Sequence, residues 1–319
     1  MSADSVEEAA QTGRAQIRKV LVIYNPRSGT LLRGSEDDPE ELLRGLFAER
    51  GIETVLHAFE ADALSGWINS AEEDSTDAVV VCGGDGSILA VVAALGDSRL
   101  PIGLIPGGTM NILARDAGLP SEPAAAADVI AEGVIKAIDV GLVNGKPFLC
   151  NSAIGLMPHL ARSREQMRDL PLWRKWPRVV SEFFTLLRRY PRLRVTIQVD
   201  GSTRRFRTRA LAVSNNLMSD SQGPIPRRES LSDGVLGIYV ARETSRWALL
   251  RIALRMMVGT WQGDLAMETI TAKSAVLSLE RARPLSVMND GEPSQFQTPL
   301  EYTIRPRALR VLVPDARES

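Results

Sequence analysis

Short apolar runs and helix-like segments alternate along the first ~130 residues of the chain. The continuous apolar runs at residues 19–24, 77–82 and 101–105 are typical of strands in a sheet that is covered on both faces. Leucines at helical spacing between Pro39 and Gly51 predict a first helix, and residues 61–73 predict a second. This βαβα order indicates a parallel, doubly wound α/β domain.

The pattern changes after about residue 135, where short alternating strands separated by turn residues replace the helical spacing. We predict strands at 193–199, 206–213, 235–240 and 275–279, with helices near 178–189 and 244–258. The expected fold class is therefore α/β plus β. Its expected parts are a polar, disordered tail (1–17), an α/β domain (18–134), a β-rich domain (135–304) and a final segment (about 305–319) that is a candidate to return to the first domain.

Composition excludes several classes of protein. Hydrophobic residues make up 44% and charged residues 24% of 319, as in globular proteins, and the net charge of −1 disfavours a general nucleic-acid binder. Two cysteines and two histidines exclude a disulfide framework and a four-cysteine zinc site. With neither an apolar run long enough to cross a bilayer nor an export signal, we expect a cytoplasmic protein.

Positive charge is concentrated in residues 162–209, which carry 14 Lys or Arg against 4 Asp or Glu and include Trp173 and Trp176. Basic and aromatic side chains together suit peripheral contact with an anionic membrane. A solvated helix face is an equally good interpretation. Since no RNA-binding motif is present, we expect no nucleic-acid partner.

The strongest local signal is a buried strand that runs through glycines into a helix. It comprises Gly83, Gly84, Asp85, Gly86 and Ser87. Glycines let the backbone approach a ligand closely, and amides at a helix start favour phosphate. Asp85 beside a polyphosphate would need a bridging cation, for which Mg²⁺ is suitable. The alternative is an ordinary strand-to-helix turn.

Two further loops follow strands of the same predicted sheet. One comprises Asn25, Pro26, Arg27, Ser28 and Gly29, and the other offers Thr109 and Asn111, which are otherwise helix-capping residues. Ligands bind at the carboxyl ends of strands in open α/β sheets, so the three loops together indicate a binding site. Neither a P-loop nor a GxGxxG motif is present.

These motifs stand in a longer ordered set. It runs NPRSG (25–29), GGDG (83–86), GGTMN (107–111) with AR (114–115), NSAIG (151–155), SNN (214–216), LSDGV (231–235) and NDGE (289–292). The set resembles the diacylglycerol kinase catalytic family, which includes bacterial soluble lipid kinases and sphingosine kinases. The resemblance covers roughly residues 18–313.

The resemblance implies a nucleotide-binding α/β domain, a C-terminal β-sandwich domain and ATP in the cleft between them. It assigns the general base to Asp290 with Glu292 nearby, and the Mg²⁺ site to Asp233 with the carbonyls of Ser230 and Val235. Two positions depart from the family pattern. Ser stands at position 87 where Thr is common, and Met stands at position 110 where Gly is common.

We therefore expect an ATP- and Mg²⁺-dependent lipid kinase that acts on a lipid hydroxyl at a membrane surface. The alternatives are an NAD kinase-like enzyme and a non-catalytic nucleotide- or lipid-binding regulator. Without the resemblance, the Asp-Gly pairs at 233–234 and 290–291 would be interpreted as plain turns, like the pair at 200–201. The acceptor lipid and the oligomeric state stay open.

Overall fold

The computed structural model describes residues 12–26, 38–158, 185, 191–221, 226–242, 246–280 and 284–315. The chain divides into two compact units. Unit 1 contains residues 1–138 and 307–319, and unit 2 contains residues 139–306. The chain passes from one unit to the other within two strands, β6 (Val134–Val143) and β16 (Leu300–Leu312).

Unit 1 is built on a parallel sheet. The parallel strands are β2 (Lys19–Tyr24), β3 (Glu53–Ala58), β4 (Ala78–Gly83) and β5 (Ile102–Pro106). A short strand, β1 (Thr12–Arg14), pairs antiparallel with β6. The sheet order is β3-β2-β4-β5 and then the last residues of β16, and all these pairs are parallel. This order places the strands of the three candidate loops (β2, β4 and β5) side by side.

The helices of unit 1 are α1 (Pro39–Ala48), α2 (Leu64–Glu73), preceded by a 3-10 turn at Ala61–Ala63, α3 (Asp85–Leu95), α4 (Ile112–Asp116) and α5 (Pro123–Glu132). Two of them, α1 and α5, begin at an acidic capping residue followed by a proline. Asp38 caps α1 by accepting a hydrogen bond from the Glu40 amide (3.2 Å). Phe47 of α1 and Ile130 of α5 are fully buried against Val22 and Val80 of the sheet.

Unit 2 is an antiparallel β structure. Its strands are β7 (Lys146–Phe148), β8 (Asn151–Gly155), β9 (Leu193–Val199), β10 (Ser202–Asn215), β11 (Leu236–Arg242), β12 (Met267–Ala272), β13 (Ser274–Leu279), β14 (Leu285–Asn289) and β15 (Glu292–Phe296). Helix α6 (Arg246–Val258) lies between β11 and β12 in the sequence. None of the helices in the described ranges is long and apolar enough to cross a membrane.

The long strand β10 pairs with three strands of this unit. Its first half pairs with β9, and its second half pairs with β8 and β11. The register shifts between Thr208 and Leu211, where the buried Thr208 hydroxyl donates to the Ala241 carbonyl (2.7 Å). Such an irregularity bends a strand and increases its twist. The core of the unit includes Phe148, Ile238 and Tyr302.

The α/β plus β class is confirmed. Residues 12–14, which lie within the expected tail, form strand β1 and pair with Lys136, Ile135 and Val134 through backbone hydrogen bonds that need no apolar side chains. The units divide at 138/139 and 306/307, where the sequence indicated 134/135 and about 304/305. Helix α3 begins at Asp85, so Asp85 and Gly86 belong to its first turn. Of the helix expected at 178–189, only Thr185 lies within the described residues.

Candidate active site

The loops after β2 and β4 are joined by a side chain from each. Asn25 directly follows β2, and its Nδ2 donates to the Ser87 hydroxyl in the first turn of α3 (3.0 Å). The Asn25 amide also donates to the carbonyl of Cys82 on β4 (2.9 Å). Pro26 is exposed beside it, whereas Arg27, Ser28 and Gly29 lie outside the described residues. The hydroxyl at position 87 therefore fixes one loop against another.

The loop after β5 is joined to the same place by Asp85. One carboxylate oxygen of Asp85 accepts a hydrogen bond from the Ile112 amide at the start of α4 (2.7 Å). Burial raises the pKa of Asp85 above its ordinary value, and hydrogen bonds from the amides of Ile112, Leu113 and Asn111 act in the opposite direction. In this geometry Asp85 connects two loops.

Glycines let the second and third loops come into backbone contact. A Cβ atom built on Gly108 would lie 2.6 Å from the Gly84 Cα, and one built on Gly84 would lie 3.2 Å from the Gly108 Cα. Both are closer than an ordinary van der Waals contact. A second close approach occurs at Gly83, where a Cβ atom would lie 2.9 Å from the Ser87 side chain. The glycine pattern is therefore required by packing between loops as well as by any ligand.

The third loop is closed by its own asparagine. Asn111 has a left-handed backbone (φ 44°), and its side chain accepts from the Gly108 amide and donates to the Gly108 carbonyl, both at 2.9 Å. Thr109 is exposed at the tip. No side chain caps α3, an 11-residue helix, at Gly84. Its first turn therefore presents amides that suit an anion.

In unit 2, Asp290 occupies a two-residue hairpin turn between β14 and β15. Asn289 and Glu292 face each other across the hairpin, and Asp290 and Gly291 have positive φ values of 49° and 94°. The plain-turn interpretation is thus correct for the backbone. The side chain, however, turns inward and is buried, whereas Glu292 is exposed.

Three consecutive backbone amides hold the Asp290 carboxylate. Oδ2 accepts from Leu149 (2.6 Å), and Oδ1 accepts from Cys150 (2.8 Å) and Asn151 (2.9 Å). Burial raises the pKa of Asp290, while these amides and the charge of Arg228 lower it.

A buried arginine supports the same backbone segment. Arg228 is 9% exposed, and its guanidinium donates to the carbonyls of Leu149 (2.6 Å) and Asn215 (3.3 Å). Within the described part of the chain, three buried amide atoms of this region lack a hydrogen-bond partner, namely Asn215 Oδ1, Asn216 Nδ2 and Asn289 Oδ1. Because an unpartnered buried polar atom costs about 1–3 kcal/mol, each of these atoms is a candidate to bond to a ligand or to water.

The loop at 230–235 is held by a second buried carboxylate. Asp139 is fully buried, and its Oδ2 accepts from the Gly234 amide (2.6 Å) while its own amide donates to the Leu231 carbonyl (2.8 Å). Asp233 is exposed at the tip of this loop. The Ser230 hydroxyl accepts from the Ser232 amide (3.1 Å), and the Val235 carbonyl accepts from the Asn216 amide (2.9 Å).

The donor set at this loop fits a hard cation. Mg²⁺ binds through one or two carboxylates with carbonyl and water oxygens, and Asp233 with two carbonyls supplies that chemistry. The described residues contain no group of three His, Cys, Asp or Glu side chains that could enclose a metal. Any ion bound here would thus keep much of its water.

Sequence reasoning missed Arg228 and Asp139. Arg228 lies in the polar run PRRES, which is typical of an exposed loop, and Asp139 lies inside a strand. Each acts on a segment far away in sequence, and local sequence carries no signal for such a contact.

We expect Arg228→Met to lower the free energy of unfolding by about 1–3 kcal/mol, because the carbonyls of Leu149 and Asn215 lose a buried charged donor. Chemical denaturation measures this. The matched control is Arg227→Met, since Arg227 is the exposed neighbour and its replacement should stay within about 0.5 kcal/mol. Equal effects of the two substitutions would contradict the structural role of Arg228.

Comparison with known families divides the chain near the boundary between the two units, at 138/139. Residues 19–143 match the diacylglycerol kinase catalytic domain, and residues 161–313 match the YegS C-terminal NAD kinase beta sandwich-like domain. The class is thus a kinase with an α/β catalytic domain followed by a β-sandwich-like domain.

Whole-chain relatives agree with this class. A diacylglycerol kinase of Mycobacterium tuberculosis is 30% identical over 96% of this chain and 98% of its own length. One of Bacillus subtilis is 27% identical over 93% of this chain and 97% of its own. A probable lipid kinase of Pseudomonas fluorescens is 27% identical over 89% of this chain and 94% of its own length. The chain therefore belongs to the diacylglycerol kinase family and is a lipid kinase.

Solved structures agree on the fold. A diacylglycerol kinase from Bacillus anthracis superposes with a TM-score of 0.68 at 21% identity, covering 95% of this chain and 99% of that one. Another chain from the same organism superposes with a TM-score of 0.73 at 23% identity, covering 94% of this chain and 99% of that one.

Proposed function

We propose that this protein transfers the γ-phosphoryl group of ATP to a hydroxyl group of a membrane lipid in an Mg²⁺-dependent reaction. The acceptor oxygen loses its proton and attacks the γ-phosphorus. The bond from that phosphorus to the β,γ-bridging oxygen breaks, ADP leaves, and the product is a lipid phosphomonoester. The observation that carries the proposal is the convergence of the three loops on the uncapped start of α3.

The geometry of unit 1 supports a polyphosphate ligand at these loops. The first turn of α3 offers amides to an anion, and the backbones of Gly84 and Gly108 lie close together beside it. The side chains of Asn25, Ser87 and Asp85 are bonded to neighbouring loops, so they make the arrangement rigid. Pre-organised donors of this kind lose little freedom when charge develops on the phosphoryl group.

We assign the general base to Asp290. A carboxylate has roughly four lone-pair positions, and the three backbone amides use three of them. The remaining position, on Oδ2, can accept the proton of a lipid hydroxyl that lies within hydrogen-bond reach. Glu292 is exposed on the same hairpin, and we assign it a supporting role near the acceptor.

We assign Mg²⁺ to the loop that carries Asp233. When bound, the ion would neutralise charge on the phosphates. Asp233 would supply a carboxylate, and the carbonyls of Ser230 and Val235 would complete the protein ligands. Asp139 would keep this loop in place through the Gly234 amide.

The deciding experiment is incubation with γ-labelled ATP, Mg²⁺ and a detergent-dispersed total lipid extract, followed by identification of the labelled lipid. We expect a labelled phospholipid whose parent carries a free hydroxyl, diacylglycerol among the candidates. A parallel incubation with NAD tests the NAD kinase-like alternative. Labelling of NAD alone would contradict the proposal. Absence of any labelled product, with ATP binding retained, would favour a regulator.

We also propose that the protein is cytoplasmic and meets its substrate by peripheral contact with the membrane. The basic segment 162–209 lies largely outside the described residues. In its described part, Arg194 pairs with Glu280 (2.9 Å) and Arg204 pairs with Glu268 (3.0 Å). These pairs offset part of the positive excess, and the segment stays a candidate for contact with anionic lipid.

A further inference from the structure

Helix α6 is apolar on two opposite sides. On one side Leu249 and Ile252 are buried and pack in a cluster with Leu156 and Ala241. That cluster accounts for the attachment of the helix to unit 2. The other side carries large apolar residues that pack against nothing comparable in the described part of the chain. They are Trp247 (77% exposed), Leu254 (60%), Met257 (54%) and Val258 (58%).

The helical spacing brings these side chains into one stripe. Trp247, Leu254 and Val258 are separated by seven and four residues, so they lie nearly in line along the helix, with Met257 beside them. Leu265, in the loop after α6, is 94% exposed. Of the seven large apolar side chains exposed in the described ranges, five thus fall within residues 247–265. Isolated exposed apolar residues are ordinary, but a concentration of them marks an interaction surface.

The charges beside the stripe indicate what it contacts. Helix α6 contains three arginines and no acidic residue. Arg251 binds both carboxylate oxygens of the buried Asp264 at 2.7 Å, and Arg255 approaches the same carboxylate at 3.4 Å. One carboxylate faces two guanidinium groups that are themselves 54% and 39% exposed, so this edge of the stripe stays positive.

We propose that α6 docks on the surface of an anionic lipid bilayer. Trp247, Leu254, Met257, Val258 and Leu265 would enter the boundary between head groups and acyl chains, with Arg251 and Arg255 at the level of the anionic head groups. A stripe of aromatic and aliphatic side chains with arginine along its edge is the chemistry of an interfacial helix. The choice of a bilayer over a second copy of the chain rests on this charge and on the proposed function, since a lipid acceptor is dissolved in a membrane.

The test is flotation of the full chain with vesicles of phosphatidylglycerol and phosphatidylcholine, without ATP. The double variant Trp247→Ser, Leu254→Ser should bind the vesicles at least about 10-fold more weakly than the wild type, because two large apolar side chains no longer leave water on binding. Its matched control is Val55→Ser, which removes an exposed apolar side chain (37%) from β3. Wild-type binding should weaken with added salt and on pure phosphatidylcholine.

Wild-type vesicle binding by the double variant would overturn the proposal. The proposal would also be overturned if the wild-type protein does not bind vesicles but forms a dimer that the double variant does not form. That result would assign the stripe to self-association. Phosphorylation of lipid in detergent micelles is measured separately. We expect the double variant to keep that activity, since docking is not needed there. Failure of the micelle reaction in wild type would contradict the proposed function and leave the flotation result standing as evidence on docking.

Discussion

The Asp290→Asn variant is expected to bind ATP like the wild type and to turn over about 10²–10⁴-fold more slowly. Asn tolerates the left-handed backbone of the turn, so the hairpin keeps its shape. Its amide cannot accept the proton of the lipid hydroxyl, and its NH₂ group meets backbone amides that need an acceptor. Steady-state kinetics in detergent micelles, with ATP affinity measured separately, distinguish loss of the base from loss of the nucleotide site.

The chain supplies a closely matched control for this substitution. Asp200 and Gly201 form the turn between β9 and β10 with φ values of 49° and 74°, close to those at Asp290 and Gly291. Asp200, however, is exposed. Asp200→Asn should leave turnover unchanged. Wild-type turnover in folded Asp290→Asn would remove Asp290 from the mechanism.

The same carboxylate predicts the pH dependence of the reaction. Burial raises the pKa of Asp290, and a base acts only in its ionised form, so kcat/KM should fall as pH drops through that raised pKa. The acid limb of the profile should therefore lie above the ~3.9 of an ordinary aspartic acid. Arg228→Met should move the limb further upward, because the guanidinium favours the ionised carboxylate. A limb at or below the ordinary value would argue against Asp290 as the base.

The second large effect is expected from one added methyl group. Gly108→Ala should abolish ATP binding, because its Cβ would lie 2.6 Å from the Gly84 Cα and the two loops must separate. The strain should also lower the free energy of unfolding by about 1–3 kcal/mol. Calorimetric titration with ATP and thermal unfolding measure the two effects.

Gly45→Ala is the control for this change. Gly45 lies within α1, and a Cβ atom there has no neighbour within 4 Å. That substitution should leave ATP binding unchanged and stabilise the protein by up to about 1 kcal/mol. Unchanged ATP affinity in folded Gly108→Ala would show that the contact between the loops has no part in nucleotide binding.

The sequence predicted those elements whose signals are local. The apolar run of β4 and the glycines that follow it were enough for a strand, a turn and a helix. The rule that ligands bind at the carboxyl ends of parallel strands was enough to expect the three loops to form one site. The strand order β3-β2-β4-β5 came only from the structure. The polar strand β1 could not be found in this way, since it is defined by backbone pairing with β6.

Side-chain roles were less predictable. The Asp-Gly dipeptides at 200–201 and 290–291 adopt the same kind of turn, and only the fold decides which aspartate is exposed and which meets the amides of residues 149–151. A resemblance to a family directed attention to Asp290, but Arg228 and Asp139 carry no local signal. For α6 the apolar run predicted a helix, and only the structure separated its packed side from its exposed side.

The position of β16 has a consequence for synthesis of the chain. Its last residues pair with β5, at Val311 and Ile102, and Leu312 is fully buried in the core of unit 1. About 200 residues separate these partners, and the ribosome adds ~5–20 residues per second. The edge of β5 therefore waits roughly 10–40 s for its partner strand during translation. Unpaired edges favour association with other chains, so the edge of β5 is open to such association during that interval.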